Sequence, residues 1–171
     1  MPTPSYMSIE GETQGKMTEG CNTPESDGNV YQEDFEGKFL VQAFEHVLMV
    51  PTDIQSGQPS GPRLHKPLVI TKIFDQSSPL LYMALTTGER LQCEIEWFRT
   101  DMEGKQELYF THELEDAVIT NIQAYMPNCQ DPTLKHFTHL ERVSFTYRKI
   151  KWTHDVGSTE GEDDWRAPIL A

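Results

Sequence analysis

Between Leu91 and Trp97 apolar and polar residues alternate without a break. Leu91, Cys93, Ile95 and Trp97 fall on one parity, and Gln92, Glu94 and Glu96 fall on the other. A period of two with one wet face describes a half-buried antiparallel strand. It excludes an amphipathic helix, whose apolar residues recur at three and four. The pattern resumes after a turn at Asp101–Lys105, with Leu108, Phe110 and Leu114 set against Glu107, Tyr109, Thr111 and Glu113. A third strand covers 117–126 and ends at Pro127. In the last strand Val143, Phe145 and Tyr147 share a parity, then Ile150 and Trp152 take the other. That switch predicts a β-bulge near Arg148 or a strand passing from one environment to another.

Upstream, 6–9 could be a short strand, 10–33 reads as a long loop or irregular hairpin, and β-branched and aromatic content suggests strands within 39–50 and 67–74. One helix stands out. Ser78 suits the N-cap, Pro79 the first helical position and Gly88 the C′ position, giving a helix of about Pro79–Thr87. Its residues Leu80–Leu85 are apolar nearly all round, so it should pack against a sheet or another chain. These elements predict a mostly β, single-domain antiparallel β-barrel or sandwich over 1–171 with one short flanking α-helix. The acidic, Gly-rich segment 155–171 is expected to be a loose tail.

The charge of the chain limits its partners. Its net charge is −13, which repels a phosphate backbone, so no nucleic acid is expected. No run reaches the 18 or so apolar residues of a membrane-spanning helix, and the N-terminal residues lack the basic and apolar regions of a cleaved signal peptide. Folding in the cytoplasm is expected, without membrane insertion. Cys21, Cys93 and Cys129 are odd in number and contain no CxxC, which predicts three free thiols. Cys93 alternates with core residues and should be buried, whereas Cys21 and Cys129 should be dispensable.

No catalytic constellation is visible in the sequence. The sequence has no GxGxxG, GxxxxGK[ST], GxSxG or HExxH. Cys129, His136 and His139 could supply three metal ligands, but their spacing fits no standard zinc module. His46 and His65 could act as bases, yet no nucleophile accompanies them in sequence, and His65 more simply makes a structural hydrogen bond. The Glu94/Glu96 and Glu113/Glu115 pairs read as solvated strand faces. The expectation is therefore no enzyme and no cofactor. The alternative is a small β-barrel enzyme or metal-dependent binding protein using His46, His65 or the Cys129-His136-His139 loop.

Other features suit contacts between chains. Pro51–Arg63 holds three prolines and two glycines over thirteen residues, too long for an ordinary hairpin connection. Arg142, Arg148, Lys149 and Lys151 form a basic stretch in an acidic chain. Several ordered stretches then resemble the Hcp family, the haemolysin-coregulated proteins of bacterial type VI secretion. They are Met1–Pro4, Ser8–Gly11, Val50–Asp53, Gln55–Gly61, His65–Pro67, Ser78–Tyr82, Glu103–Glu107, Tyr147–Ile150 and Asp163–Arg166. The segments 19–25, 30–34 and 74–76 depart from that pattern.

The resemblance implies a fold like that of phage tail-tube proteins, with six copies in a ring and rings stacked into a hollow tube. It further implies a contractile sheath around the tube, a spike (VgrG-type) protein at its tip, effector proteins in the lumen, and secretion without a cleaved signal peptide. Candidate subunit-contact residues are Pro51, Asp53, Ile54, Gln55, Gln58, Arg63, Arg148, Lys151, Asp164, Trp165 and Arg166.

Overall fold

The computed structural model describes residues 3–167. Twelve strands are named among them: β1 (Ser5–Gly11), β2 (Gly15–Lys16), β3 (Phe39–Val41), β4 (Ala43–Glu45), β5 (Leu48–Met49), β6 (Leu64–His65), β7 (Leu68–Ile73), β8 (Leu91–Thr100), β9 (Gln106–Tyr125), β10 (Leu140–Thr146), β11 (Lys149–His154) and β12 (Thr159–Asp164). A four-residue helix α1 (Pro24–Asp27) lies in the early loop region, and α2 (Ser78–Thr87) lies between β7 and β8.

The antiparallel ladder runs β2-β1-β8-β9-β10-β7-β4. Segment 39–45 then joins its two sides: β3 pairs with β1, Gln42 N–H donates to Thr71 O, and β4 pairs with β7. The result is a barrel-like sandwich of the expected class.

β9 is one strand of twenty residues where the sequence suggested two. Its first part pairs with β8 and β11, and its second part pairs with β10. The change of partner falls at Asp116, whose positive φ of 50° places an irregularity without ending the strand. The chain between 140 and 154 does the reverse. β10 pairs with β7 and β9, the ladder breaks at Tyr147–Arg148, and β11 continues between β9 and β12. The parity switch therefore marks a strand changing sheets.

The expected loose tail is corrected over its described part. Residues 159–164 form β12, which pairs with β11 from Lys149↔Asp164 to His154↔Thr159. Cross-strand ion pairs Lys149–Glu162 (3.0 Å) and Lys151–Glu160 (3.3 Å) line that hairpin, so the charges that suggested disorder are opposed to one another.

The α2 helix begins at Ser78, one residue before the expected start, with Ser77 in the cap position. Asp75 Oδ1 accepts from Ser77 N–H (2.9 Å) and Ser77 Oγ, holding the helix entrance. Gly88 adopts a left-handed φ of 66°, and Glu89 N–H donates to Ala84 O, which closes the C-terminus. Leu81 and Ala84 are buried, while Tyr82 and Met83 face outward. Between the layers, Met7, Ile9, Phe39, Leu68, Ile70, Leu91, Ile95, Leu114, Val143, Phe145 and Ile150 form the core.

Cys93 is buried as expected, and all three thiols are free. Cys21 is also fully buried within the core cluster, so, unlike the sequence expectation, its replacement by serine should destabilise the fold. Burial, with the nearby Asp75 carboxylate, pushes the Cys21 thiol up to about 12. In the native protein a thiol reagent should titrate Cys129 alone, and all three cysteines only after denaturation. Rapid modification of Cys21 in the folded chain would contradict this packing.

Candidate assembly surface

The Pro- and Gly-rich segment 51–63 projects as an arm from the two-stranded sheet of β5 and β6, which pair Leu48↔His65 and Met49↔Leu64. Proline removes donors and fixes φ, so the arm cannot join the main ladder. It instead carries a local turn. Asp53 N–H donates to Gln58 O (2.8 Å), Gly57 N–H donates to Asp53 O (2.8 Å), and an isolated bridge links Thr52 and Pro59. Asp53 Oδ1 accepts from Gln55 N–H (2.9 Å) and Oδ2 from Ser56 Oγ (3.0 Å), which holds the carboxyl below its usual range. Of the candidate contact residues, Pro51 is half-buried, whereas Asp53, Ile54, Gln55 and Gln58 are exposed. Ile54 is 100% exposed.

The arm is fixed at its root by a chain of hydrogen bonds. Arg63 Nε donates to Asp163 Oδ2 (2.5 Å), and Arg63 Nη2 donates to the backbone oxygens of Asp164 (2.8 Å) and Ala167 (3.2 Å). His65 Nε2 lies 2.7 Å from Asp163 Oδ2, and its Nδ1 lies 2.7 Å from Tyr147 Oη. Tyr147 Oη in turn lies 2.7 Å from His46 Nε2. The Trp165 ring covers His65 at 5.3 Å between centroids. Segments far apart in sequence thus meet at one point, and the arm base is locked to the β12 hairpin.

Burial of Tyr147, with the Asp163 charge nearby, raises its phenol above the ordinary value, so it serves as a neutral bridge. His65 is 2% exposed and both its ring nitrogens are engaged, the structural role its position suggested. Tyr147→Phe should cost about 1–3 kcal/mol by stranding two histidine nitrogens, as read by a urea midpoint. An unchanged midpoint would remove the clamp from the stability argument.

Arg63, Arg148, Asp164 and Trp165 come together at this root. Arg148 pairs with Asp116 (3.2 Å) and Asp164 (3.3 Å), and Trp165 N–H donates to Arg148 O. Lys151 lies away from the root and pairs with Glu160. Arg166 is exposed. By sequence the basic stretch could bind an anion or equally meet the acidic surface of another copy; in the structure Arg148, Lys149 and Lys151 are opposed by acids of the same chain.

The enzyme and metal alternatives gain no geometry. No group of three or more His, Cys, Asp or Glu side chains capable of holding a metal occurs among the described residues. Burial lowers His46 to about 4, with nearby His65 adding to the shift, and lowers His112 likewise, with His46 adding. Both histidines thus fold with depressed pKa values. Their contribution to stability is complete above about 6.5 and is lost as pH falls toward about 4. Acid unfolding of a His46→Gln, His112→Gln chain should therefore show a shallower fall across that window. An identical fall would exclude these groups.

One cluster was missed. Lys72, Asp75 and Glu141 are buried with their side chains wholly out of contact with solvent. Lys72 Nζ lies 2.6 Å from Glu141 Oε1 and 2.9 Å from Asp75 Oδ1.

The sequence matches the family described as "Type VI secretion system effector, Hcp" over residues 6–154. It is 59% identical over 170 residues to the "Major exported protein" of Pseudomonas aeruginosa, covering 99% of each chain. The fold is similar to that of the "Crystal structure of Hcp protein" (TM-score 0.92, 48% identity, 96% of this chain and 99% of that one). It is also similar to the "Secreted protein Hcp3 from Pseudomonas aeruginosa" (TM-score 0.82, 52% identity, 96% and 99%). The chain belongs to the Hcp family, the structural tube proteins of type VI secretion.

Proposed function

We propose that this chain closes into a six-membered ring and that rings stack into the hollow inner tube of a type VI secretion system. A contractile sheath surrounds that tube, a VgrG-type spike caps it, and effector proteins travel in its lumen. The chain leaves the cell through the same system without a cleaved signal peptide. The observation that carries this reading is near-full-length similarity to a major exported protein and to Hcp structures. The arm held rigidly at its root supports it, because pre-ordering a projecting segment lowers the entropy lost on docking.

The test is light scattering on the purified chain, with electron microscopy of the same sample. A species near six times 19.6 kDa with ring-shaped particles supports the reading. A monomer of 19.6 kDa at all concentrations overturns it.

A further inference from the structure

The arm leaves the body past His46 and returns to it at His65. Both rings reach Tyr147 Oη, each at 2.7 Å. Donor chemistry gives this chain a direction. The Arg63 hydrogen bond, helped by His65, holds the Asp163 carboxyl below its usual range, so it only accepts. His65 Nε2 therefore carries the hydrogen that faces Asp163. In the neutral ring Nδ1 then accepts from Tyr147 O–H, which leaves Tyr147 Oη to accept from His46 Nε2–H. Every donor and acceptor in the chain is used while the rings stay neutral.

Phe44 connects this chain to a second pair. Its ring lies 6.4 Å from His46, 4.8 Å from Trp97 and 5.4 Å from His112, centroid to centroid. Phe44 belongs to β4, and Trp97 and His112 belong to β8 and β9, so these rings close one seam between the two sides of the fold. Trp97 Nε1–H donates to His112 Nδ1 (2.8 Å). An indole nitrogen can only donate, which assigns the lone pair to His112 Nδ1 and its hydrogen to Nε2.

A proton on His112 would set one N–H against another and break the bond to Trp97. Nothing around His112 compensates that charge. Its cross-strand neighbours are Ile95 on β8 and Trp152 on β11, and His154 of β11 lies beyond the Phe110 ring. The titratable group acting on it is His46, which itself faces His65, and each would repel a second positive ring. His46 is half-buried, so once charged it gains by turning from Phe44 and Tyr147 into water.

We propose that His46 and His112 form an acid-sensitive latch on the arm. Protonation parts His112 from Trp97 and His46 from Tyr147, and the feet of the arm loosen while the main ladder stays paired. The latch belongs to a single copy and does not depend on the ring reading.

The experiment is hydrogen exchange of the full chain from about pH 7 to about pH 4, expressed as protection factors and followed by circular dichroism. Lys66 N–H, which donates to Val47 O (3.0 Å), and the β5–β6 pair report the feet. Their protection should fall about tenfold or more in acid, with β8, β9 and β10 still protected. The chain with His46→Gln and His112→Gln should keep its feet protected, since an amide oxygen accepts from Trp97 at any pH. Nitrogen NMR of the unmodified protein at neutral pH should show His112 bare at Nδ1.

A hydrogen on His112 Nδ1 at neutral pH would overturn the proposal, however the variant folds. Feet that loosen equally in the double variant would overturn it too. So would protection lost in all strands at once, because acid would then unfold the chain and not unlatch it.

Discussion

Replacing Lys72 by methionine is expected to cost about 3–5 kcal/mol, a large part of the stability of a domain this size. The ammonium is buried among Glu141 Oε1 (2.6 Å), Asp75 Oδ1 (2.9 Å) and the carbonyl of Ile73 (2.9 Å), and lies 5.1 Å from the Phe39 ring centre. Asp75 Oδ2 and Glu141 Oε2 have no hydrogen-bond partner of their own among the described residues. One cation therefore compensates two carboxylates that tie β7, β10 and the start of α2 together. Removing it leaves two uncompensated charges in a low-dielectric interior, the expensive half of any buried ion pair. The paired variant Lys72→Met, Glu141→Leu should lose less than the single one, because it removes a charge along with its partner. Urea midpoints of the three proteins check this. A single variant as stable as the parent, or a double variant worse than the single, would refute the cluster's role.

That cluster also shows where the sequence stops being legible. Lys72 shares parity with Leu68 and Ile70, and Glu141 shares parity with Val143 and Phe145. Both stand among inward residues, which is a readable hint. Their pairing is not readable, since 69 positions separate them and only the β7–β10 register brings them together. The alternation in β8 was legible because a sheet with one wet face writes its period directly into the residues. The turn-prone Ser-Pro and Gly88 signals located α2 to within a residue or two for the same local reason. β9 was misjudged because Glu115-Asp116 looks like a break, when the backbone only changes partner there. β12 was missed because charged cross-strand pairs resemble a solvated tail in composition. Within the candidate surface, the exposed arm could be read from its prolines and glycines. The clamp at its root could not, because His65, Tyr147 and Asp163 come from separate segments. The tube role itself came through family resemblance, for no composition or period distinguishes a tube subunit from another small β protein.

Replacing Thr52–Pro62 by a short Gly-Ser turn should leave the fold intact and abolish higher assembly. None of the residues removed belongs to the buried core. The internal bonds of the arm, Asp53 with Gln58 and Thr52 with Pro59, leave with it, and the backbone bond broken across the cut is Ser60 N–H to Pro51 O (2.8 Å), at the half-buried base of the arm. The clamp residues Arg63, His65, Tyr147 and Asp163 all remain. Shortening a surface connection changes closure entropy by about 1 kcal/mol or less, so the urea midpoint should barely move. What the variant loses is a pre-ordered docking element with Ile54 at full exposure. The expected result is an unchanged β-rich circular dichroism spectrum with rings or stacked tubes missing from sedimentation and electron microscopy. If the shortened chain still forms normal rings and tubes, the arm is only a surface loop. If it fails to fold, the arm supports the core after all, against its exposure in the structure.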